Sequence, residues 1–126
     1  WQHVLEPLNG YLLLAQKIHD KKIKKLEQNW NFGPNISSCK SVKFLTTYLS
    51  KHLNTKIFGD KTKNIFLKPE TNILRLSNNK SKKFLKWYPK WSIIKSLDII
   101  IDWNKKIKYQ KPYDVCIEQI KDYLSH

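Results

Sequence analysis

The sequence predicts an α+β fold in which a small, mostly helical lobe carries a few short strands. Three segments place apolar side chains at the three- and four-residue spacing of an amphipathic helix. They span residues 8–22, 42–53 and 92–103. Short apolar runs beside turn-forming residues are typical of strands. These runs are Trp30–Phe32, Ile57–Phe58 and Ile73–Leu76.

The length and composition indicate one ordered domain. The chain has 126 residues, of which 40% are hydrophobic and 13% aromatic, so it can bury a modest core. It contains no methionine and opens on W-Q-H-V, a pattern typical of the connection between a strand and a helix. We therefore expect the 126 residues to be one part of a longer protein.

The first helix is predicted to begin at Glu6 and Pro7, directly after an extended opening segment. Proline at the first helical position lacks only a donor that would be unpaired anyway, and Glu6 lies at the positive end of the helix. From Leu8 onward, apolar side chains cover nearly the whole circumference, so we expect burial on more than one side, in part by regions outside this chain. Gly10 costs about 1 kcal/mol relative to alanine inside a helix, which is tolerable where another element packs closely.

Serine and proline mark the starts of the later helices. Ser37 or Ser38 can cap the second long helix, and Ser92 can cap the third. Pro112 is well placed to begin a last helix. In that last helix we expect the inward side chains to be Cys116, Ile120, Tyr123 and Leu124.

The cysteine usage favours a reducing compartment. Cys39 and Cys116 lie far apart in sequence and follow no metal-ligand spacing, so we expect buried free thiols in a cytoplasmic protein. No apolar run reaches the roughly 18 to 20 residues that a membrane span needs, and the first residues carry no signal-peptide pattern. The sequence therefore predicts no membrane association.

The formal net charge of +14 raises the question of a nucleic-acid partner. Arg75 is the single arginine among 24 basic residues, whereas base recognition relies on bidentate arginine contacts. The lysines are spread along most of the chain, as on a solvated lysine-rich surface. A basic nucleic-acid-binding module is thus the less favoured alternative, and a non-functional remnant of a split gene is a further one.

The opening segment W-Q-H-V-L-E-P-L-N-G-Y-L-L-L-A-Q resembles a specific protein family. It is similar to the segment that opens the substrate-binding part of CDP-glucose 4,6-dehydratases, which are extended short-chain dehydrogenases/reductases. Near the other end, V-C-I-E-Q-I-K-D-Y-L resembles the C-terminal tail of these enzymes. The resemblance predicts that residues 1–126 form the C-terminal substrate-binding portion, without the N-terminal Rossmann domain.

A third block, E-T-N-I-L-R-L-S-N-N-K-S-K-K-F-L-K-W-Y-P, resembles the family's run from a glutamate through L-x-L-D-x-S-K-A to L-G-W-x-P. It predicts a short helix from Ser77 to Leu85. Ser77 stands where the family has aspartate and can still cap a helix. Lys86 stands where the family has a glycine that closes the helix in the left-handed conformation, which costs other residues about 1 kcal/mol.

The resemblance also implies an activity and a cofactor. Complete relatives convert a nucleotide-activated hexose to its 4-keto-6-deoxy form with bound NAD, and they act as homo-oligomers. The three glycines of this chain are too dispersed for a dinucleotide-binding turn, and no tyrosine is followed four residues later by lysine. We therefore expect this chain alone to hold no catalytic residues, to bind no NAD and to be inactive.

Five residues are candidates for contacting the substrate. The resemblance assigns Glu70 to the ribose hydroxyls, since a carboxylate can accept two hydrogen bonds; the alternative is a surface glutamate. Lys68 can meet the diphosphate as a flexible charge, or can simply be solvated. Trp1, Gln2 and His3 stand where the family lines the nucleotide, although His3 fits a hydrogen-bonded structural role somewhat better.

Other aromatic and imidazole side chains are expected to be structural. Trp87 and Trp91 flank predicted helix ends and fit a core role better than a base-stacking one. The remaining histidines have no cysteine or carboxylate at metal-ligand spacing, so we expect them at the surface and predict no metal site. They are His19, His52 and His126.

Overall fold

The computed structural model describes residues 1–22, 29–56 and 76–126. Within these ranges the chain forms four α-helices, one 3₁₀ turn and one π-helical turn, and no residue is in a strand. The helices are α1 (Leu5–His19), α2 (Val42–Leu53), α3 (Ile93–Lys106) and α4 (Pro112–Ser125), with the 3₁₀ turn at Ile36–Ser38 and the π-helical turn at Ser81–Leu85. The predicted α+β class is therefore wrong for the described part of the chain, which is all helical.

The segment Trp30–Phe32 shows why a predicted strand does not form. A strand needs a neighbouring ladder for its backbone groups, and among the described residues the carbonyls of this segment bond side chains instead. The acceptors and donors are Asn29 O with Lys80 Nζ (2.9 Å), Asn31 O with Ser81 Oγ (2.6 Å), Phe32 O with Gln2 Nε2 (2.7 Å) and Gly33 O with Asn78 Nδ2 (2.8 Å). Of the other predicted strands, Ile57–Phe58 lies outside the described residues, and so does Ile73–Leu76 except for Leu76, which is not in a strand.

The helix starts follow local capping chemistry. Ser41, rather than Ser37 or Ser38, caps α2, because its Oγ accepts from Phe44 N at 3.2 Å while the two earlier serines lie in the 3₁₀ turn. Ser92 caps α3 as predicted, accepting from Lys95 N at 3.2 Å. Pro112 begins α4, also as predicted.

Two clusters of apolar side chains form the core. The first joins Phe32, Leu85 and Trp87, and the inner side of α1 packs against it through Leu13 and Leu14. The second lies between α2 and α3 and consists of Leu45, Ile93 and Leu97. The prediction that Trp87 and Trp91 belong to the core is confirmed, since they are 1% and 5% exposed.

Gly10 lies where α1 meets the Phe32 ring. A Cβ at this position would stand 2.3 Å from Phe32 Cδ1, well inside contact distance. The glycine therefore allows the aromatic ring to approach the helix backbone. Gly10 is thus tolerable inside the helix because another element packs closely there.

The last helix turns a different face inward than the apolar residue types predict. Val115 and Tyr123 are buried, and Gln119 between them donates to Ile99 O of α3 at 3.0 Å. Cys116, Ile120 and Leu124 are exposed, so their predicted inward positions are wrong, whereas that of Tyr123 is confirmed. Val115, Gln119 and Tyr123 are four residues apart and therefore lie on one face of α4, which contacts the rest of the protein. Because the middle residue of this face is a polar glutamine, a search for apolar positions does not find it.

None of the helices in the described ranges is long and apolar enough to cross a membrane.

Candidate functional site

A buried carboxylate organises the start of α1. Glu6 is 0% exposed. Its Oε1 accepts from Trp91 N at 2.7 Å and from Lys90 N at 3.0 Å, and its Oε2 accepts from the Tyr123 hydroxyl at 2.9 Å. A buried charge is tolerated only when such donors replace its hydration. We name Glu6, Lys90, Trp91 and Tyr123 the Glu6 cluster.

The cluster binds three separate parts of the chain to each other. The Trp87 indole donates to Glu6 O at 3.2 Å, so the backbone at the start of α1 is held as well as the side chain. The Trp91 and Tyr123 rings meet edge to face with centroids 5.0 Å apart. Lys90 Nζ donates to Tyr123 O at 3.0 Å and lies 4.8 Å from the centre of the phenol ring. The start of α1, the segment before α3 and the end of α4 thus form one unit.

The Tyr123 hydroxyl is held in its protonated form. Burial raises the pKa of Tyr123 well above its usual range, and the hydrogen bond to Glu6 raises it further. The phenol therefore stays a donor to the carboxylate throughout the physiological pH range.

His3 is a buried part of the same region. It is 6% exposed, its ring meets Trp91 at a centroid distance of 5.0 Å, and its Nδ1 accepts from Leu5 N at 3.3 Å. Burial lowers the pKa of His3, and the Glu6 carboxylate opposes this only in part. The imidazole is thus neutral at pH 7, with Nδ1 engaged at the start of α1 and the remaining proton assigned to Nε2.

Trp1 and Gln2 line a cleft of about 300 Å³ beside α2 and α3. The Trp1 side chain is 63% exposed. Gln2 is fixed by the bond from its Nε2 to Phe32 O, while its buried Oε1 has no partner among the described residues. The other lining residues are Val42, Leu45, Thr46, Leu49, Ile93, Ser96, Leu97 and Ile100. The cleft is therefore mostly apolar, with an aromatic ring and a carboxamide at its edge.

The structure thus locates three of the five predicted substrate-contacting residues. Gln2 donates to Phe32 O and His3 packs against the Trp91 ring, while Trp1 and Gln2 line the cleft. Lys68 and Glu70 lie outside the described residues. The substrate-binding roles of all five stay predictions.

The buried Glu6 carboxylate and the two described glycines serve the fold. Both Glu6 oxygens already accept hydrogen bonds, so the carboxylate fixes backbone rather than exchanging protons with a ligand. Gly10 is covered by Phe32, and a Cβ at Gly33 would stand 2.9 Å from Leu76 O, so both described glycines serve packing. Neither fits the turn that brings backbone donors to the pyrophosphate of NAD.

The sequence analysis did not identify Glu6 and Tyr123 as key residues of this region. For Glu6 a signal is present in the sequence, because it is the one charged residue between Trp1 and Gln16, in a strongly apolar stretch. A lone charge in such surroundings indicates a buried, partnered group. Tyr123 carries no comparable signal, since its partner lies 117 residues away.

Several lysines of the described part serve the fold directly. Lys80 Nζ lies 4.5 Å from the Trp30 ring centre, Lys82 Nζ donates to Asn35 Oδ1 at 3.0 Å, and Lys95 Nζ pairs with Asp122 at 3.2 Å. These contacts distribute basic side chains over several faces. A basic composition alone therefore does not indicate a nucleic-acid surface here.

Comparison with known proteins points to nucleotide-sugar dehydratases. The chain is 31% identical over 130 residues to the CDP-glucose 4,6-dehydratase of Salmonella typhimurium (strain LT2). The alignment covers 99% of this chain and 34% of the relative, so the chain spans about a third of the length of the curated relative that it matches. No family model matches the chain. The resemblance to CDP-glucose 4,6-dehydratases is thereby confirmed, over nearly every residue of the chain.

Proposed function

We propose that this chain is the substrate-binding portion of an enzyme like CDP-glucose 4,6-dehydratase. The observation that carries the proposal is the alignment itself, which includes 99% of the chain at 31% identity. The relative is about three times as long, so the proposed activity requires a further portion that supplies NAD and the catalytic groups. The chain's own contribution is binding and orientation of a nucleotide-activated hexose.

The Glu6 cluster supports the proposal that this chain binds and orients the substrate. It holds His3, one of the residues that the resemblance assigns to the nucleotide, because Glu6 N donates to His3 O at 3.0 Å and the His3 ring packs against Trp91. Trp1 then offers an exposed ring and Gln2 a fixed carboxamide at the edge of the cleft. An aromatic face beside a polar group suits a nucleobase or a ribose.

Lys68 and Glu70 complete the proposed site on grounds of resemblance. Lys68 would neutralise charge on the diphosphate, and Glu70 would accept hydrogen bonds from the ribose diol. Neither group would touch C4, C5 or C6 of the sugar. Their effect should therefore appear in substrate affinity.

A chimeric enzyme tests the proposal. The residues of the Salmonella relative that precede its matched region are joined ahead of Trp1, and the purified chimera is incubated with CDP-glucose and NAD. We expect mass spectrometry to detect a sugar nucleotide that has lost one water. The same residues of the relative, produced without this chain, serve as the control. A folded chimera that binds NAD but neither binds nor dehydrates CDP-glucose would refute the proposed function.

A further inference from the structure

A shallow groove runs along one exposed face of α2. Its volume is about 440 Å³, and its lining surface is almost entirely apolar. It shares no lining residue with the cleft beside Trp1 and Gln2, so the two open on different faces of α2. We call it the α2 groove. Its lining residues form two neighbouring rows on the helix, with Ser41, Phe44 and Tyr48 in one row and Lys43, Thr47 and Lys51 in the other.

The aromatic floor of the α2 groove is held in place by its neighbours. The Tyr48 hydroxyl donates to Asp98 Oδ1 of α3 at 2.7 Å. The Tyr48 ring stacks with those of Phe44 and His52, whose centroids are 6.2 and 4.3 Å away. Phe44 and Tyr48 also pack on the apolar cluster between α2 and α3. A ligand that binds these rings therefore has few side chains to order.

Lysine side chains border this floor. Lys43 and Lys51 are exposed, and neither forms an ion pair with a carboxylate in the described ranges. Lys40 is exposed as well and places its Nζ 5.7 Å from the centre of the Phe44 ring. Asp98 brings one carboxylate to the groove, where it already accepts a tyrosine hydroxyl. The α2 groove thus combines an apolar floor with an excess of positive charge.

We propose that the α2 groove binds an acidic amphipathic helix of a partner protein. Lys43 and Lys51 are two turns apart on α2, which corresponds to about 12 Å along the helix axis. A partner helix that lies along the groove and carries two carboxylates at the same spacing would pair with both lysines. An apolar side chain between those carboxylates would reach the aromatic floor.

The stacking of the floor makes a single-stranded nucleic acid a poorer occupant. A nucleobase needs a free aromatic face to stack on. Phe44 and His52, one helical turn before and after Tyr48, already stack on its ring. The described aromatic rings of the groove therefore offer an apolar edge to a side chain rather than a platform to a base.

A second copy of the chain is also a poorer occupant, because it has few carboxylates to offer. Most carboxylates of the described residues already have partners in their own chain. These pairs are Asp20 with Lys22, Asp98 with Tyr48, Asp102 and Glu118 with Lys106, and Asp122 with Lys95. The formal net charge of +14 further opposes self-association.

Peptide binding to the isolated chain tests the proposal. The probe is a fluorescein-labelled, alanine-rich helical peptide with two glutamates at the spacing of Lys43 and Lys51 and one leucine midway, and fluorescence anisotropy gives its dissociation constant. We expect Lys43→Gln combined with Lys51→Gln to weaken binding about tenfold, because two exposed ion pairs are lost. Lys105→Gln combined with Lys121→Gln removes the same charge from exposed lysines elsewhere and should leave the constant unchanged.

Thr47→Glu is a second groove variant, because it places a carboxylate at an exposed position between the two lysines. It should also weaken binding of the acidic peptide. Circular dichroism of each variant checks that the helices are intact.

Four outcomes would overturn the proposal. The first is a wild-type chain that shows no saturable binding up to about 1 mM peptide, and the second is a groove double variant that behaves like its control. The third is binding of single-stranded oligothymidylate, but not of the peptide, that the groove substitutions abolish, which would indicate a nucleic-acid surface. The fourth is a dimer of the isolated chain, detected by sedimentation, that the same substitutions dissociate.

Discussion

The carboxylate of Glu6 and the hydroxyl of Tyr123 share a 2.9 Å hydrogen bond although 117 positions separate them in the chain. Two backbone N–H groups of the Lys90–Trp91 segment complete the carboxylate's coordination. Each donor comes from a segment that lies far from α1 in sequence. The bond therefore reports directly on whether the three segments are assembled.

Glu6→Gln should destabilise the fold by about 1.5 to 3 kcal/mol, because hydrogen bonds to a charged acceptor are replaced by bonds to a neutral amide. Tyr123→Phe removes a single donor and should cost less, about 1 kcal/mol. Urea unfolding followed by tryptophan fluorescence measures both. Glu118→Gln, at an exposed carboxylate on α4, is the control and should change stability by no more than about 0.5 kcal/mol. Equal effects of Glu6→Gln and Glu118→Gln would contradict the role assigned to the cluster.

His3 should make stability depend on pH on the acidic side. Its pKa in the folded state lies below the ordinary value of 6.5, so the unfolded chain binds more protons between the two values. The contribution of neutral, buried His3 to the free energy of unfolding is complete above pH 6.5. It is lost progressively as the pH falls towards the pKa of His3 in the folded state. Urea unfolding at a series of pH values between 7 and 5, a range of about two units around the histidine pKa, measures it.

His3→Asn retains an acceptor for Leu5 N and should remove this part of the pH dependence. His19→Asn is the matched control, since the His19 side chain is 91% exposed. If both variants keep the slope of the wild-type chain, burial of His3 is not its source.

Gly10→Ala should destabilise the chain by about 1 to 3 kcal/mol. The added Cβ would stand 2.3 Å from Phe32 Cδ1, and overpacking outweighs the gain in helix propensity of about 1 kcal/mol. Ala15→Gly, at an exposed position of the same helix, measures the propensity term by itself. A stabilised Gly10→Ala variant would show that the Phe32 ring can move away without cost.

Lys86→Gly should stabilise the chain by about 1 kcal/mol. Lys86 ends the π-helical turn in the left-handed conformation, with φ of 57°, and its side chain is exposed. Lys83→Gly, inside the turn, is the matched substitution and should cost about 1 kcal/mol. Thermal unfolding of both variants compares them, and the prediction fails if the two substitutions shift stability in the same direction.

Glu70→Gln, made in the chimeric enzyme, tests the proposed ribose contact. Loss of a charged acceptor weakens binding by about 1.5 to 3 kcal/mol, which corresponds to a rise in KM of roughly tenfold to a hundredfold. The rate constant kcat should be largely spared, because the ribose is remote from the reacting carbons. Steady-state kinetics with CDP-glucose measure both constants, with Glu118→Gln as the control. An unchanged KM in a folded variant would place Glu70 at the surface.

Local signals in the sequence predict the helices well. Ser92 and Pro112 start their helices as expected, and Lys86 occupies the left-handed position that a glycine would favour. These features depend on bonds within a few residues, so a local pattern contains the information. The resemblance in W-Q-H-V-x-E-P likewise predicted the dehydratase relationship that the comparison confirms.

Features that depend on distant partners were not predictable in the same way. The alternation of Trp30 and Phe32 is typical of a strand, but strand pairing requires a neighbour, and here Gln2, Asn78 and Ser81 bond the segment's carbonyls. The inward face of α4 depends on a contact with Glu6, at the opposite end of the sequence. Neither a period nor a residue type encodes such a pairing.

The separation between Glu6 and Tyr123 also has a kinetic consequence. During synthesis α1 emerges before α4, and the Glu6 carboxylate cannot receive its hydroxyl donor until α4 has left the ribosome. Closing so long a loop costs little additional free energy, about 0.6 kcal/mol for each doubling of its length, but long-range contacts slow folding. A nascent chain halted before Tyr123 should therefore expose the start of α1 to proteases, and protection of that segment should report that translation has reached the last helix.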